Sequence, residues 1–281
     1  MSDPNPQQCQ IIMSFFTQGN SQKALDEATK LLIYFPNSIF LHRISGASNF
    51  SLKNFDAAIL NYKKILQIKP KDEKTLNNIG IAFQEKGDIK SAISSYKKAV
   101  KVQPNYAEAH KNLGITYRNQ GDFDLALKSY NKALKINPHF VKALYGIAAT
   151  LKLRGRVNDA VNYYQKVIDL EPDNFDAHVS IGACLRDKNE LKKAIKSFKK
   201  ATKINPNYGP IYDNLGVCLR ETGDQLSAIK SFEKAIQKQP NYVEAYLNLG
   251  NTLLDIGRVV EAVEFFAKAI QTLPMNSRII N

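Results

Sequence analysis

Apolar and polar residues alternate along this chain at helical spacing, in short blocks that restart at a constant interval. Residues 107–138 show the unit most clearly: AEAHKNLGITYRNQGDFDLALKSYNKALKINP. His110, Leu113, Gly114 and Tyr117 fall on one side of a first helix, because positions three and four apart share a helix face. Gly121 and Asp122 break that helix and cap the next. Ala126, Tyr130 and Ala133 then line the inner side of a second helix, and Pro138 ends it, since proline cannot continue a helix interior. The small residues Gly114 and Ala126 let the two helices approach closely, and Tyr130 fills the space between neighbouring hairpins.

The same unit recurs along the chain. Pro36, Pro70, Pro104, Pro138, Pro172, Pro206, Pro240 and Pro274 stand 34 residues apart, and so do Ala24, Ala58, Ala92, Ala126, Ala160, Ala194, Ala228 and Ala262. Numbered from three residues after each proline, the array is a single domain over residues 5–276, divided 5–38, 39–72, 73–106, 107–140, 141–174, 175–208, 209–242 and 243–276, with a tail at 277–281. Position 8 is glycine in six units, position 15 is glycine in six, and position 24 is aromatic from the second unit onward (Tyr62, Tyr96, Tyr130, Tyr164, Phe198, Phe232, Phe266). The first two units depart most from the pattern, with Ile12 and Ala28 in one and Asn49 and Lys53 in the other. One hairpin cannot bury its apolar face alone, whereas stacked hairpins share a continuous core.

This run of Leu-Gly, Tyr, Gly, Ala, Tyr/Phe, Ala and Pro within 34 residues resembles the tetratricopeptide repeat. The resemblance implies an all-α, right-handed superhelical solenoid of eight helix-turn-helix repeats, with the first helix of each lining a concave groove and the second on the convex side. It further implies a protein that binds peptides or proteins in that groove.

With positions 3, 4, 7, 8, 10 and 11 buried, positions 2, 5, 6, 9, 12 and 13 form an open stripe. Two rows on it are candidate binding sites. Position 6 holds Asn78, Asn112, Asn214 and Asn248. Each amide offers two donors and an acceptor, which suits holding the backbone of an extended peptide. The row is similar to the asparagine ladder in the repeat region of O-linked N-acetylglucosamine transferases. The other reading, that Asn-Leu-Gly is simply common in this repeat subtype, stays open. Position 12 holds Arg118, Lys152, Arg186 and Arg220, with Lys111 near them at position 5. Arginine matches carboxylate and phosphate geometry, so an acidic segment fits this strip. Asp187, Glu221 and Asp255 follow at position 13, and pairing of Arg186 with Asp187 and of Arg220 with Glu221 is the competing expectation. A chaperone-tail clamp of the kind some family members carry is excluded by pattern: Lys111 is followed by Ile115, and no repeat has Lys or Arg at position 6.

Composition alters this picture little. The 281 residues are 44% hydrophobic and 23% charged, which fits a folded protein. The net charge of +13 suggests acidic partners, but position 26 is lysine in all eight repeats, from Lys30 to Lys268, and without these the charge falls to +5. That stripe lies on second helices and has no stacking aromatics, so nucleic acid is not an expected partner. No apolar run approaches the roughly 20 residues needed to cross a bilayer, and the N-terminus has no secretory pattern, so a cytoplasmic, non-membrane protein is expected. Cys9, Cys184 and Cys218 are too few for a disulfide framework, and the latter two fall at the small, buried position 10. His42, His110 and His178 occupy packing position 4. No phosphate loop, metal-binding cluster or nucleophile motif is present. The expectation is a non-enzymatic scaffold without cofactor or metal. The alternative is the substrate-recruiting part of a bacterial glycosyltransferase, sulfotransferase or oxygenase whose catalytic part lies elsewhere. Val263, Phe265 and Ile279 leave the C-terminal end apolar, which suggests an interface with a partner or a second copy.

Overall fold

The computed structural model describes residues 3–272, and among them it contains sixteen α-helices and no strand. They fall into two compact units, Met1–Gly146 and Ile147–Asn281. In the first unit the hairpins are α1 (Pro6–Thr17) with α2 (Ser21–Leu32), α3 (Ile39–Ser51) with α4 (Phe55–Ile68), α5 (Glu73–Glu85) with α6 (Ile89–Val102), and α7 (Ala107–Asn119) with α8 (Phe123–Ile136). The unit boundary falls within α9 (Val141–Leu153). The second unit continues with α10 (Val157–Leu170), α11 (Phe175–Asp187) with α12 (Leu191–Ile204), α13 (Gly209–Glu221) with α14 (Gln225–Lys238), and α15 (Val243–Asp255) with α16 (Val259–Thr272). Inside each unit every hairpin stacks on the next, and odd-numbered helices also touch each other directly, as α5 with α7 and α11 with α13.

The repeated small and aromatic positions account for this packing. A Cβ added at Gly114 would lie 2.6 Å from the Tyr130 ring, and one added at Gly146 would lie 2.5 Å from the same ring. Tyr130 is therefore seated between its own hairpin and the next. Gly80 with Tyr96, Gly182 with Phe198, Gly216 with Phe232 and Gly250 with Phe266 repeat the contact. The eight alanines at position 20, Ala24 through Ala262, are all completely buried. The hydroxyl of Tyr130 has no hydrogen-bond partner, which is consistent with phenylalanine serving at the same position in later repeats.

Helix ends follow the local chemistry. From α4 to α14 each even-numbered helix stops two residues before a proline, and the residue between them is extended, as proline requires of its predecessor (Asn137, φ −132°, ψ 97°). The turn inside each hairpin needs a left-handed residue. Glycine supplies it at six places, with φ between 74° (Gly155) and 87° (Gly87). Lys53 (φ 62°) and Asn189 (φ 61°) hold the same conformation without being glycine. The expected Asp122 cap is corrected: Asp122 sits at the N-cap of α8, but its side chain makes no cap hydrogen bond. Asp88 and Asp224, at equivalent places, do accept from Ser91 N (3.0 Å) and Ser227 N (3.1 Å).

The left-handed residues give a direct test. Lys53→Gly should raise thermal stability by up to ~1–2 kcal/mol, the cost of αL for an L-residue, and Asn189→Gly should gain less because asparagine tolerates that conformation. A Cβ at Gly114 should cost about 1–3 kcal/mol by overpacking. Melting curves in which Lys53→Gly lowers the midpoint, or Gly114→Ala leaves it unchanged, would contradict this account.

Candidate peptide-binding rows on the odd-numbered helices

Five odd-numbered helices, α3, α7, α11, α13 and α15, are tied at their start to the end of the preceding hairpin. His42 Nε2, His110 Nε2 and His178 Nε2 each donate to a proline carbonyl (Pro36, Pro104, Pro172) at 2.9 Å. Tyr212 and Tyr246 do the same through their hydroxyls to Pro206 (3.1 Å) and Pro240 (3.0 Å). Burial lowers the pKa of the His110 imidazole, and the bond to the Pro104 carbonyl opposes that shift. In these five repeats position 4 is a packing residue whose polar tip reaches a proline carbonyl, whereas Leu76 and Leu144 fill the same place by packing alone.

The open stripe requires correction. In the first unit Asn112 is buried, and its amide donates to Asn77 Oδ1 at 2.8 Å. Asn77, at position 5, is buried as well. In the second unit Asn248 donates to Asp213 Oδ1 at 2.9 Å, and Asp213, again at position 5, is buried. Both bonds join residues 35 apart. Adjacent odd-numbered helices approach closely enough for position 5 of one repeat to meet position 6 of the next, so these side chains face a neighbouring helix before they face solvent. Asn214 and Asn248 remain half-buried, with Asn214 donating to Pro210 O at 3.0 Å. Asn78 is half-buried and makes no side-chain hydrogen bond to a described residue.

The basic row is partly committed to internal partners, though not the expected ones. Lys111 pairs with Glu108 at 2.7 Å, with 12% of its side chain exposed. Arg118 donates to Asn119 at 3.4 Å. Lys152 pairs with Asp187 at 3.8 Å, once more 35 residues on. Arg186 therefore does not meet Asp187; it donates to Asn214 Oδ1 at 3.3 Å. No ion pair joins Arg220 to Glu221 among the described residues. Arg186, Arg220, Asn214 and Asn248 thus surround Asp213 in the second unit. Burial raises the Asp213 pKa, Glu244 adds to the rise, and Asn248, Arg186 and Arg220 oppose it.

Sequence reasoning missed Asn77 and Asp213. Their signal was the 35-residue offset, a polar residue at position 5 followed by asparagine at position 6 of the next repeat. Cys184 and Cys218 are buried as expected, and burial pushes the Cys218 thiol up to about 11. Phe265 is also placed differently. It is half-buried, its ring 6.4 Å from that of Tyr246 with Lys268 4.8 Å above it, so its own hairpin uses it. Val263 is exposed, and Ile279 lies outside the described residues. Among the described residues no cluster of three metal-ligating side chains occurs, and no helix is long and apolar enough to cross a membrane.

This geometry is that of a helical-hairpin interaction module. Family models described as Tetratricopeptide repeat match residues 107–140, 142–174, 175–208 and 243–272, and one described as TPR repeat matches 82–121 and 218–257. The chain belongs to the tetratricopeptide-repeat family, whose members are protein-interaction scaffolds. Among solved structures it is similar to a MamA protein, at 31% identity over 57% of this chain and 94% of that one, with a TM-score of 0.55. It is also similar in fold to YrrB, described as a TPR protein with an unusual peptide-binding site, at 22% identity over 66% of this chain and 95% of that one, TM-score 0.55. The C-terminal part of a TPR repeat-containing protein from Cytophaga hutchinsonii shares the fold over 86% of this chain and 99% of that one, at 17% identity and a TM-score of 0.67. No curated protein sequence matches the chain.

The raised Asp213 pKa has a measurable consequence. The native state holds this proton at a pH where the unfolded chain, near pKa ~3.9, has released it. Between the two values the native state binds more protons, so its stability falls as pH rises. Wild type should therefore gain stability relative to Asp213→Asn as pH is lowered from 7 to 4. A stability difference between the two proteins that does not change over that range would exclude buried, proton-linked behaviour at Asp213.

Proposed function

We propose that the protein is a non-enzymatic scaffold that holds an extended, acidic peptide segment along its odd-numbered helices. The observation that carries this reading is the cluster in the second unit. There Arg186 and Arg220 form no ion pair among the described residues beyond their pull on the buried Asp213 carboxyl, while Asn214 and Asn248 stay half-exposed beside them. Two guanidinium groups and two amides suit a peptide backbone flanked by carboxylates. Lys152 stands in the same row but shares its charge with Asp187. In the first unit Asn78 is the residue most open to a ligand. Lys111 and Arg118 have partners of their own, and buried Asn112 pairs with Asn77 instead of touching the ligand. The peptide-binding site named for YrrB is compatible with this use of the fold, although it is YrrB's own.

Selection of 12-residue peptides by display on the intact chain tests the reading, followed by titration of a selected peptide. Arg186→Glu/Arg220→Glu should weaken binding by about tenfold or more, since losing a desolvated charge contact costs ~2 kcal/mol or more. Asn214→Ala/Asn248→Ala should weaken it less. Selected peptides without acidic enrichment, or equal affinity for all three proteins, would sink the proposal.

We also propose that a second copy covers the exposed face of α16. Position 21 is apolar in every repeat; Ile229 there is 6% exposed under the following hairpin, whereas Val263 is 60% exposed, with Val259, Val260 and Ile270 beside it. Val263→Glu should convert a dimer to monomer in sedimentation. Monomeric wild type at high concentration would refute this.

A further inference from the structure

The even-numbered helices offer a second surface. Lysine recurs on them, and α12 takes this furthest: Lys192, Lys193, Lys196, Lys199, Lys200 and Lys203 stand on a helix with no acidic residue. Next to α12, over α11 and against α10, lies an open cleft of about 920 Å³. Val161 and Ile168 from α10 and Leu185 from α11 give it an apolar lining. Asn162 and Gln165 from α10 and Lys193, Lys196 and Lys200 from α12 add polar groups to the lining.

An opening in the same register near the start of the array, lined by Leu32, His42 and Lys64, measures about 570 Å³, so the α10–α12 cleft is an enlarged version of a feature found elsewhere in the stack. Ser95, Ser129 and Ser231, at position 23 of other hairpins, are buried, yet Ser197 at the same position is half-buried in the cleft wall. His42 and His110 are buried at position 4, yet His178 is half-exposed and lines the cleft. His178 keeps the 2.9 Å bond to Pro172 that its counterparts make, so hairpin closure is the same and only the cover differs.

The charge of the cleft selects its occupant. Four lysines and one carboxylate, Glu190, line it. Glu190 is already bridged by Lys188 and by Lys193 (2.7 Å). Lys200 reaches the exposed Asp173 at 2.8 Å, a pair that solvent weakens. Lys196 has no ion pair among the described residues. A polynucleotide would find no Phe, Tyr or Trp ring in the cleft on which to stack a base, and the imidazole of His178 is tied to Pro172 O. A flat bilayer surface would leave the recessed apolar lining uncovered. An acidic segment with apolar side chains at helical or alternating spacing satisfies both features at once.

We propose that the α10–α12 cleft is a second binding site, which takes an acidic amphipathic peptide segment: apolar side chains enter between α10 and α11, and carboxylates meet Lys193, Lys196 and Lys200. This site uses none of the side chains on the odd-numbered-helix rows. One chain could therefore hold two partner segments at the same time.

Fluorescence anisotropy on the intact protein tests this with a labelled 14-residue probe of glutamate and leucine at helical spacing. The probe should bind saturably. Lys196→Glu/Lys200→Glu should weaken it about tenfold or more, and Ile168→Asp should weaken it as well. Arg186→Glu/Arg220→Glu should weaken it less than the lysine variant does, and melting curves should show all variants folded. A second probe with serine for leucine should bind at least tenfold more weakly. The proposal is overturned if the first probe does not saturate, if the serine probe binds equally, or if the arginine variant and not the lysine variant loses binding. It is also overturned if duplex DNA of equal charge, or vesicles of phosphatidylserine and phosphatidylcholine, bind more tightly than the probe.

Discussion

The structure depends on one recurring contact, an aromatic ring packed directly against glycine. Tyr130 occupies the space that a side chain on Gly114 or Gly146 would need, within about 2.6 Å in each case. Two helices of one hairpin and the first helix of the next are thereby held at the closest separation their backbones allow. Dispersion forces fall steeply with distance, so such close packing is where a stack with no long-range chain connections gains most of its cohesion.

The same close approach governs the candidate binding rows. Once neighbouring odd-numbered helices are so near, polar side chains at positions 5 and 6 reach one another before they reach solvent. Asn77 with Asn112 and Asp213 with Asn248 are the result. Buried polar groups need partners, and these pairs supply them across the seam between repeats. A row that resembles a ligand ladder in sequence is thus partly a seam between helices. The proposed ligand contact therefore rests on the members left half-exposed, Asn78, Asn214 and Asn248, and on Arg186 and Arg220. On the even-numbered helices the looser packing around Ser197 and His178 leaves an apolar floor beside an unusually basic helix, so the two faces differ in chemistry as well as position.

The residues differ in how far the one-dimensional pattern revealed them. The left-handed turn is legible even where glycine is absent, because Lys53 and Asn189 fall in the register that Gly87 and Gly121 mark. Burial of Cys184 and Cys218 is legible for the same reason. The cap at Asp122 is not, since whether a carboxylate turns onto a backbone N–H depends on neighbouring side chains. The partner of Lys152 was also hidden: charge pairs within one repeat look nearest in sequence, yet its carboxylate comes from Asp187 in the next repeat.

By itself the sequence determined helix identity, the 34-residue period, the turn conformations and the small-aromatic core, since each follows from local sterics and from periodicity along a single helix. Only the tertiary structure decided which groove side chains are free. That depends on the 35-residue offset between facing helices, a distance in space that no spacing within one repeat encodes. The same holds for the cleft beside α12: its lysines are plain in the sequence, but the apolar floor next to them exists only where α10, α11 and α12 meet.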